Sequence, residues 1–382
     1  MQRRLFSADH EAFRTTVRRF ISNEIVPFHA QWEQEGQVPR QLAKRLGELG
    51  VFGLAFPSEF GGGDETGYAY QVVLDEELAR QLVSIGSLRC HLDVVLPYFR
   101  SLATPEQRQR WFPGLVTGTL LTAIAMTEPG AGSDLSAIRS TAVRDGDHYL
   151  LNGSKTFITG GYLADAVIVV ARTSMDPDDR RSGLTLLVVE DGMSGFVKSR
   201  KLDKLGLKAQ DTAELAFDDV RVPASNLLGA EGQAFAALGH NLARERLSVA
   251  VEAVVAARAA LNATLDYVKE RQAFGQSVGS FQNTKFELAA VATDLEAAQA
   301  LVDRAVEELD AGALRPEDAA MAKLFCTEMQ GRAVDRCLQL FGGYGYIRDY
   351  PIARLYADAR VSRIYGGTSE VMRLIISKSL GI

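Results

Sequence analysis

The chain has 382 residues, 47% hydrophobic and 24% charged, with a net charge of −6. That length exceeds what one hydrophobic core supports, so two or three packed units of ordinary globular composition are expected. The acidic balance excludes a broad nucleic-acid footprint and leaves room only for local basic pockets that could take a phosphorylated ligand. Cys90, Cys326 and Cys337 are odd in number, widely spaced and lack a C-x-x-C pair. Such a set reads as reduced core thiols in a cytoplasmic protein, with neither a disulfide framework nor a metal. The arginines after Met1 are followed at once by Asp9 and Glu11, so no secretory leader is expected. No window of roughly 18 apolar residues is expected to span a bilayer.

From about residue 9 to 118 the apolar spacing is helical, with Phe13, Val17, Phe20 and Ile21, then Leu42, Leu46 and Leu49. Gly50 ends one helix, and Gly61-Gly62-Gly63 forms a loop before the next. The middle of the chain changes period. Asp145-Gly146 and Asn152-Gly153 are turn signals bracketing Tyr149-Leu150-Leu151, and residues 167–171 and 184–189 are aliphatic strands. From Gly232 the helical period returns in Ala-rich segments through Ala311 and again from Pro316 to Leu340. An α, β, α succession implies an antiparallel β-domain flanked by helical domains, not a doubly wound sheet. The expected division is 1–120, 121–230 and 231–382.

Two segments are dense in chemistry. Ala125-Met126-Thr127-Glu128-Pro129-Gly130-Ala131-Gly132-Ser133-Asp134 combines hydroxyls, carboxylates and glycines that let backbone N–H groups approach a ligand. Taken alone it also reads as a solvated turn. Far downstream, Gln339-Leu340-Phe341-Gly342-Gly343-Tyr344-Gly345-Tyr346 leads through Asp349, Arg354 and Asp358 to Ile364-Tyr365-Gly366-Gly367-Thr368-Ser369-Glu370. Together with Asn152-Gly153-Ser154-Lys155-Thr156-Phe157-Ile158-Thr159, Lys204-Leu205-Gly206-Leu207-Lys208 and Glu270-Arg271-Gln272-Ala273-Phe274-Gly275, these segments resemble, in order, the acyl-CoA dehydrogenases, FAD enzymes that desaturate acyl-CoA thioesters. The resemblance covers nearly the whole chain and is closest to the long-chain and isovaleryl-CoA type.

The resemblance implies an α+β multidomain fold: an N-terminal helical domain, a middle antiparallel β-barrel-like domain and a C-terminal four-helix domain. It also implies FAD as the hydride acceptor, which no amino acid can replace. Ala125, Met126, Thr127, Gly132, Ser133, Phe157, Ile158 and Thr159 would line the flavin. Phe157 stands where the family often has Trp, so stacking survives without the indole donor. Arg271, Phe274, Gln282, Gln339, Gly342 and Gly343 would meet the adenosine and pyrophosphate of FAD held by a neighbouring subunit, which requires a homo-oligomer, by resemblance a tetramer built as a dimer of dimers. Read without the family, Arg271 is a solvated helix end with Gly275 as its C-cap, and residues 157–159 are an ordinary strand after an Asn-Gly turn. Thr368, Ser369 and Glu370 open the last helix and would touch FAD. Ser133 would contact the pantetheine arm of the acyl-CoA, with Arg244, Arg246, Gly366 and Gly367 completing the substrate site. Electrons would pass to an electron-transfer flavoprotein.

The chain departs from the medium-chain pattern at the base, because its C-terminal loop reads Tyr365-Gly366-Gly367-Thr368 where those enzymes have Tyr-Glu-Gly-Thr. The long-chain and isovaleryl types place the Glu in a Glu-Arg-Leu context, matched here by Glu245-Arg246-Leu247. Periodicity supports this independently: Glu245 lies on the apolar stripe of Leu238, Leu242, Val249 and Ala253. A carboxylate there is costly unless paired or functional. Burial would raise its pKa and strengthen it as a base, with Arg246 pulling the other way. The alternative is a structural ion pair with a neighbouring Arg. Gly366 would leave room for Glu245 and lend its N–H to the thioester oxygen. An oxidase or monooxygenase, a dehydrogenase of carrier-protein thioesters, or a non-catalytic acyl-CoA scaffold would fit the same fold.

Overall fold

Ser7 and His10 open the first helix with reciprocal bonds, His10 N–H to Ser7 Oγ at 3.5 Å and Ser7 N–H to His10 Nδ1 at 2.9 Å. The computed structural model describes residues 3–176 and 178–382; Met1 and Gln2, part of the stretch read above for a leader, lie outside them. The helical N-terminal part comprises α1 (Ala8–Glu24), α2 (His29–Glu35), α3 (Arg40–Glu48), α4 (Ala69–Arg80), α5 (Leu88–Cys90), α6 (Leu96–Leu102) and α7 (Pro105–Thr117). A π-helical turn, His91–Val95, joins α5 to α6. One extra residue per turn rotates everything after it, a distortion that recurs at functional sites.

The middle of the chain supplies β1 (Thr122–Ala125), β2 (Thr141–Asp145), β3 (His148–Thr159), β4 (Ala166–Arg172), β5 (Leu184–Glu190), β6 (Phe196–Lys201) and β7 (Thr212–Pro223). The sheet runs β1-β4-β2-β3-β7-β6, with β5 also on β4. Most neighbours are antiparallel, as the turn signals imply, but β1 and β2 each pair β4 in parallel. Strands β4 and β5 are apolar on both sides because both faces are covered. Ile168, Val170, Leu186 and Val188 join the core of the N-terminal helices, while Val167, Val169, Leu187 and Val189 form the sheet's own core.

One turn signal misleads. Asp145-Gly146 does open the β2–β3 hairpin, but Asn152-Gly153 lies inside β3, at a register shift against β7. Asn152 is held in the ladder by Asp219, donating Nδ2–H to its carboxylate at 2.8 Å and accepting its N–H at 2.9 Å. Gly153 is required there because a Cβ would fall 2.3 Å from Ser140 Oγ.

The C-terminal part comprises α8 (Ala234–Glu270), a hairpin of β8 (Gln272–Ala273) and β9 (Gln276–Ser277), then α9 (Gln282–Asp310), α10 (Pro316–Phe341), α11 (Pro351–Ala359) and α12 (Ser369–Ser379). The helical stretch read from 232 to 311 is thus two helices. Gly275 is not a helix cap: Phe274 (φ 50°) and Gly275 (φ 80°) form the left-handed two-residue turn of the β8–β9 hairpin. Contrary to the expectation from sequence, α8 contains an 18-residue stretch apolar enough to cross a bilayer, but 67% of that stretch is buried inside the fold, as befits a core helix. Val251, Val254 and Ala257 of α8 pack with Val291, Leu295, Cys326 and Met329.

Candidate active site

Helix α8 buries Glu245, which is 7% exposed, in a place where periodicity puts an apolar side chain. Tyr98 of α6, itself fully buried, donates its hydroxyl to Glu245 Oε1 at 2.9 Å. Among the described residues Glu245 forms no ion pair, so the structural ion-pair alternative does not hold. Burial pushes its pKa up to about 7, against the Tyr98 hydrogen bond and the nearby Arg246, which both pull it down. A carboxylate poised there is ionised for much of the time near neutrality and retains proton affinity. Arg246 is buried beside it, its Nε lacking a hydrogen-bond partner among the described residues. Arg244, immediately before Glu245, points elsewhere: its guanidinium lies 4.6 Å from the Tyr68 ring centroid, lining a cleft with Arg100 and Gln71.

The loop after the short helix at 360–363 brings Gly366 to this face of α8. A Cβ on Gly366 would sit 3.7 Å from Val249 Cγ2, one turn beyond Glu245, and 3.4 Å from Lys323 Cε. Gly366 (φ 66°) and Gly367 (φ 95°) both use left-handed backbone. Beneath them the buried Lys323 ammonium donates to Ser362 O at 3.0 Å and Gly367 O at 2.8 Å. Burial, and next Arg246, pull the Lys323 pKa down to about 8. With both carbonyls occupied from below, the Gly366 N–H donates to no acceptor among the described residues. A buried carboxylate and, at the next turn of the same face of α8, a loop N–H without an acceptor among the described residues are groups able to remove a proton from a carbon and to hold charge on an adjoining oxygen.

A second group of predicted residues lies on β3 and the 125–134 loop. Lys155 of β3, fully buried, donates to Met126 O at 3.0 Å and Glu128 Oε1 at 2.8 Å, and Thr156 N–H donates to Thr127 O at 3.0 Å. Glu128 also accepts from the backbone of Arg139 at 2.7 Å and Ser140 at 2.9 Å. The 125–134 loop is therefore pinned to β3, while Gly132 and Ser133 remain exposed. A second register shift, between Lys155 and Ile158, puts Phe157 at φ 60°, turning its ring out to 68% exposure while Ile158 is buried. Thr159 accepts from Gln210 Nε2 at 3.4 Å, and the buried Thr212 hydroxyl beside it on β7 has no partner among the described residues. An out-turned aromatic ring, an unpartnered hydroxyl and a glycine loop suit a flat heteroaromatic ring system with polar edges.

The remaining predicted residues lie apart. Arg271 follows the end of α8 and covers the Tyr344 ring at 5.3 Å, near Gly342, the C-cap of α10. Phe274 is 97% exposed, and Gln282, Gln339 and Gly343 are exposed on the same part of the chain. Arg271 is 26 positions beyond Glu245, a span of about 39 Å along α8 at 1.5 Å per residue. Thr368 caps α12 by accepting Val371 N–H at 3.3 Å, and Ser369 donates to Glu328 at 2.7 Å, so both hydroxyls have protein partners; Glu370 is exposed. Sequence reasoning missed Tyr98, Lys155 and Lys323. Their partners are 147, 27 to 29, and 39 to 44 positions away; a polar residue in an otherwise apolar stretch marks Tyr98 and Lys323, and nothing local marks Lys155.

Family models for the acyl-CoA dehydrogenase N-terminal, middle and C-terminal domains match residues 7–119, 123–220 and 232–381. The chain is 44% identical over 378 residues to the mitochondrial long-chain specific acyl-CoA dehydrogenase of Sus scrofa, covering 99% of this chain and 88% of that protein. The crystal structure of an acyl-CoA dehydrogenase from Geobacillus kaustophilus superposes with a TM-score of 0.97 at 46% identity, covering 100% of both chains. A glutaryl-CoA dehydrogenase from Mycobacterium smegmatis, solved in complex with FADH2, gives 0.89 at 30% identity over 99% of this chain and 95% of that one.

Proposed function

Because the chain belongs to the acyl-CoA dehydrogenase family, we propose that this acyl-CoA dehydrogenase, a flavoprotein oxidoreductase of fatty acid metabolism, desaturates an acyl-CoA between Cα and Cβ with Glu245 as its base. The observation that carries this is the buried Glu245 carboxylate, without an ion pair among the described residues, on the face of α8 that the Gly366 loop approaches at Val249. Glu245 takes the α-proton onto its carboxylate, and Tyr98 keeps that carboxylate aimed. The Gly366 N–H holds the thioester oxygen as negative charge develops on it, and Lys323, by holding the Ser362 and Gly367 carbonyls on either side, fixes the course of the loop that bears it. Gly367 and Arg246 complete the pocket, and Ser133 receives the pantetheine arm. Arg244, turned onto Tyr68, has no part in this reading.

FAD is the flavin that best fits both sets of predicted contacts. Met126, Thr127, Phe157 and Thr159 would hold its ring system, and when bound it supplies the two-electron acceptor for the β-hydride. The FADH2 bound to the Mycobacterium smegmatis relative supports this choice. Arg271, Phe274, Gln282, Gln339, Gly342 and Gly343 would receive its adenosine end from a second copy, since no single dinucleotide reaches along most of α8. This reading requires at least a dimer, and we extend it to a dimer of dimers. The identity to the long-chain enzyme favours long acyl chains. An electron-transfer flavoprotein would reoxidise the protein, and the three free cysteines accord with a cytoplasmic location.

Anaerobic mixing of the flavin-loaded protein with acyl-CoAs from short to long and branched tests the proposal. Bleaching of flavin absorbance with long chains is the expected result. Reduction by short chains only would overturn the chain-length assignment, and no reduction by any member would overturn dehydrogenation.

A further inference from the structure

Glu245, Ser248 and Glu252 share one face of α8, and each meets a polar side chain from the segment running through α5, the π turn and α6. Tyr98 bonds Glu245 at 2.9 Å, Ser248 Oγ donates to Asp93 Oδ2 at 2.6 Å, and Arg89 Nη1 donates to Glu252 Oε2 at 3.0 Å. The π turn lies between the first and last of these contacts, and its additional residue keeps positions 89, 93 and 98 on the side facing α8. Arg89 is the hub. It also grips Asp75 of α4 with two bonds, at 3.1 and 3.0 Å, and donates to the Ser248 carbonyl at 2.9 Å, with Asp93 Oδ2 at 3.4 Å.

Glu252 has a second tenant. Its Oε2, already held by Arg89, accepts the hydroxyl of Tyr365 at 3.0 Å, and Tyr365 is the residue immediately before Gly366. The loop bearing the free N–H is therefore tied to the same face of α8 that bears the base. Resting on the dehydrogenase reading above, we propose that Arg89, Glu252 and Tyr365 are positioning residues that set the Gly366 N–H against the substrate oxygen, so that base and oxygen-holding donor keep a fixed separation.

Two alternatives for this charge cluster are weaker. A cluster built only for stability would not need Glu252 to reach out to a glycine loop. Hydrophobic residues of similar volume commonly serve stability as well as a buried ion network does. A substrate-binding role for Arg89 is disfavoured because Asp75, Asp93, Glu252 and the Ser248 carbonyl already take its donors. What the geometry does supply is a rigid link between two groups that must act together.

The test uses the flavin-loaded full chain and the acyl-CoA that reduces it. Tyr365→Phe removes only the tether's hydroxyl, and Glu252→Ala removes its anchor while Arg89 keeps Asp75 and Asp93. Each is expected to slow flavin reduction at saturating acyl-CoA by about tenfold, leave the acyl-CoA dissociation constant within about twofold, and speed amide exchange in the peptide spanning 360–368. Glu252→Gln keeps an acceptor for both donors and is expected to restore the rate to within about threefold of the parent. The double variant Tyr365→Phe/Glu252→Ala should be no slower than the slower single one, because both cut the same link. Full reduction rates and unchanged exchange in Tyr365→Phe and Glu252→Ala, with the parent active, would overturn this inference alone. A parent that no acyl-CoA reduces would overturn the dehydrogenase reading and this inference with it.

Discussion

Replacing Glu245 by Gln should raise stability and abolish turnover, and the pH dependence of the stability gain is a direct measure of the environment built around the carboxylate. Its pKa is pushed from the ordinary 4.5 to about 7 by burial. The folded state therefore binds more protons than the unfolded one between those values. The stability associated with this group is full below pH 4.5 and is lost as pH rises through 7. A gap of about 2.5 between folded and unfolded values corresponds to about 3 kcal/mol at pH 8 and above. Glu245→Gln has the same shape, can still accept the Tyr98 hydroxyl and carries no charge to desolvate. It should match the parent in stability near pH 4 and exceed it by about 3 kcal/mol at pH 8 to 9. Thermal or denaturant unfolding of both proteins from pH 4 to 9 measures this, and flavin reduction by acyl-CoA in the same samples should fall by at least about 10³-fold, within the usual range for removal of a general base. A stability difference that does not vary with pH would refute the buried, unpaired carboxylate. Undiminished flavin reduction would refute its role as base.

Tyr98→Phe removes a bond that holds the Glu245 pKa down, so the acid limb of the pH profile for flavin reduction should move to higher pH. The rate should be reduced at pH 7 and recover in part at pH 9, the remaining shortfall measuring the lost aim of the carboxylate. Gly366→Ala places a methyl group 3.4 Å from Lys323 Cε on backbone at φ 66°. It should cost about 1 to 2 kcal/mol in denaturant unfolding and slow flavin reduction by at least about tenfold, since relieving the strain re-aims the N–H. Lys323→Met strands the Ser362 and Gly367 carbonyls and should cost about 1 to 3 kcal/mol. The Lys323 pKa is depressed from 10.5 to about 8, so the unfolded state binds more protons in that window and the parent should gain stability as pH rises from 8 to 10.5. The variant should lack that gain.

The position of Glu245 was legible in sequence because a charged residue interrupting a 3.6-residue apolar stripe is visible in one short window. The order of helical and β segments was legible for the same reason: hydrophobic period is a local property. The exceptions are equally specific. Asn152-Gly153 has the composition of a hairpin turn, yet the Asn152–Asp219 bonds, 67 positions apart, keep it within a strand. Gly275 reads as a helix cap only until Phe274 is seen to share its left-handed turn. Arg89 and Glu252 look like any solvated helix charges. They meet each other across 163 positions, and Tyr365 lies 113 positions further along. Nothing in a local window encodes such a meeting.

Helix α8 carries the base in its first half and leads, about 39 Å further on, to the arginine at its C-terminal end proposed to serve a second copy's cofactor. Two crippled chains should therefore be able to cure one another. A copy bearing Glu245→Gln still offers its Arg271, and a copy bearing Arg271→Ala still offers its Glu245. Co-expressed, they should form mixed pairs with one complete site each, while either variant alone stays inactive. At the genetic level the gene would show complementation between its own defective alleles, with a ceiling set by the share of mixed pairs.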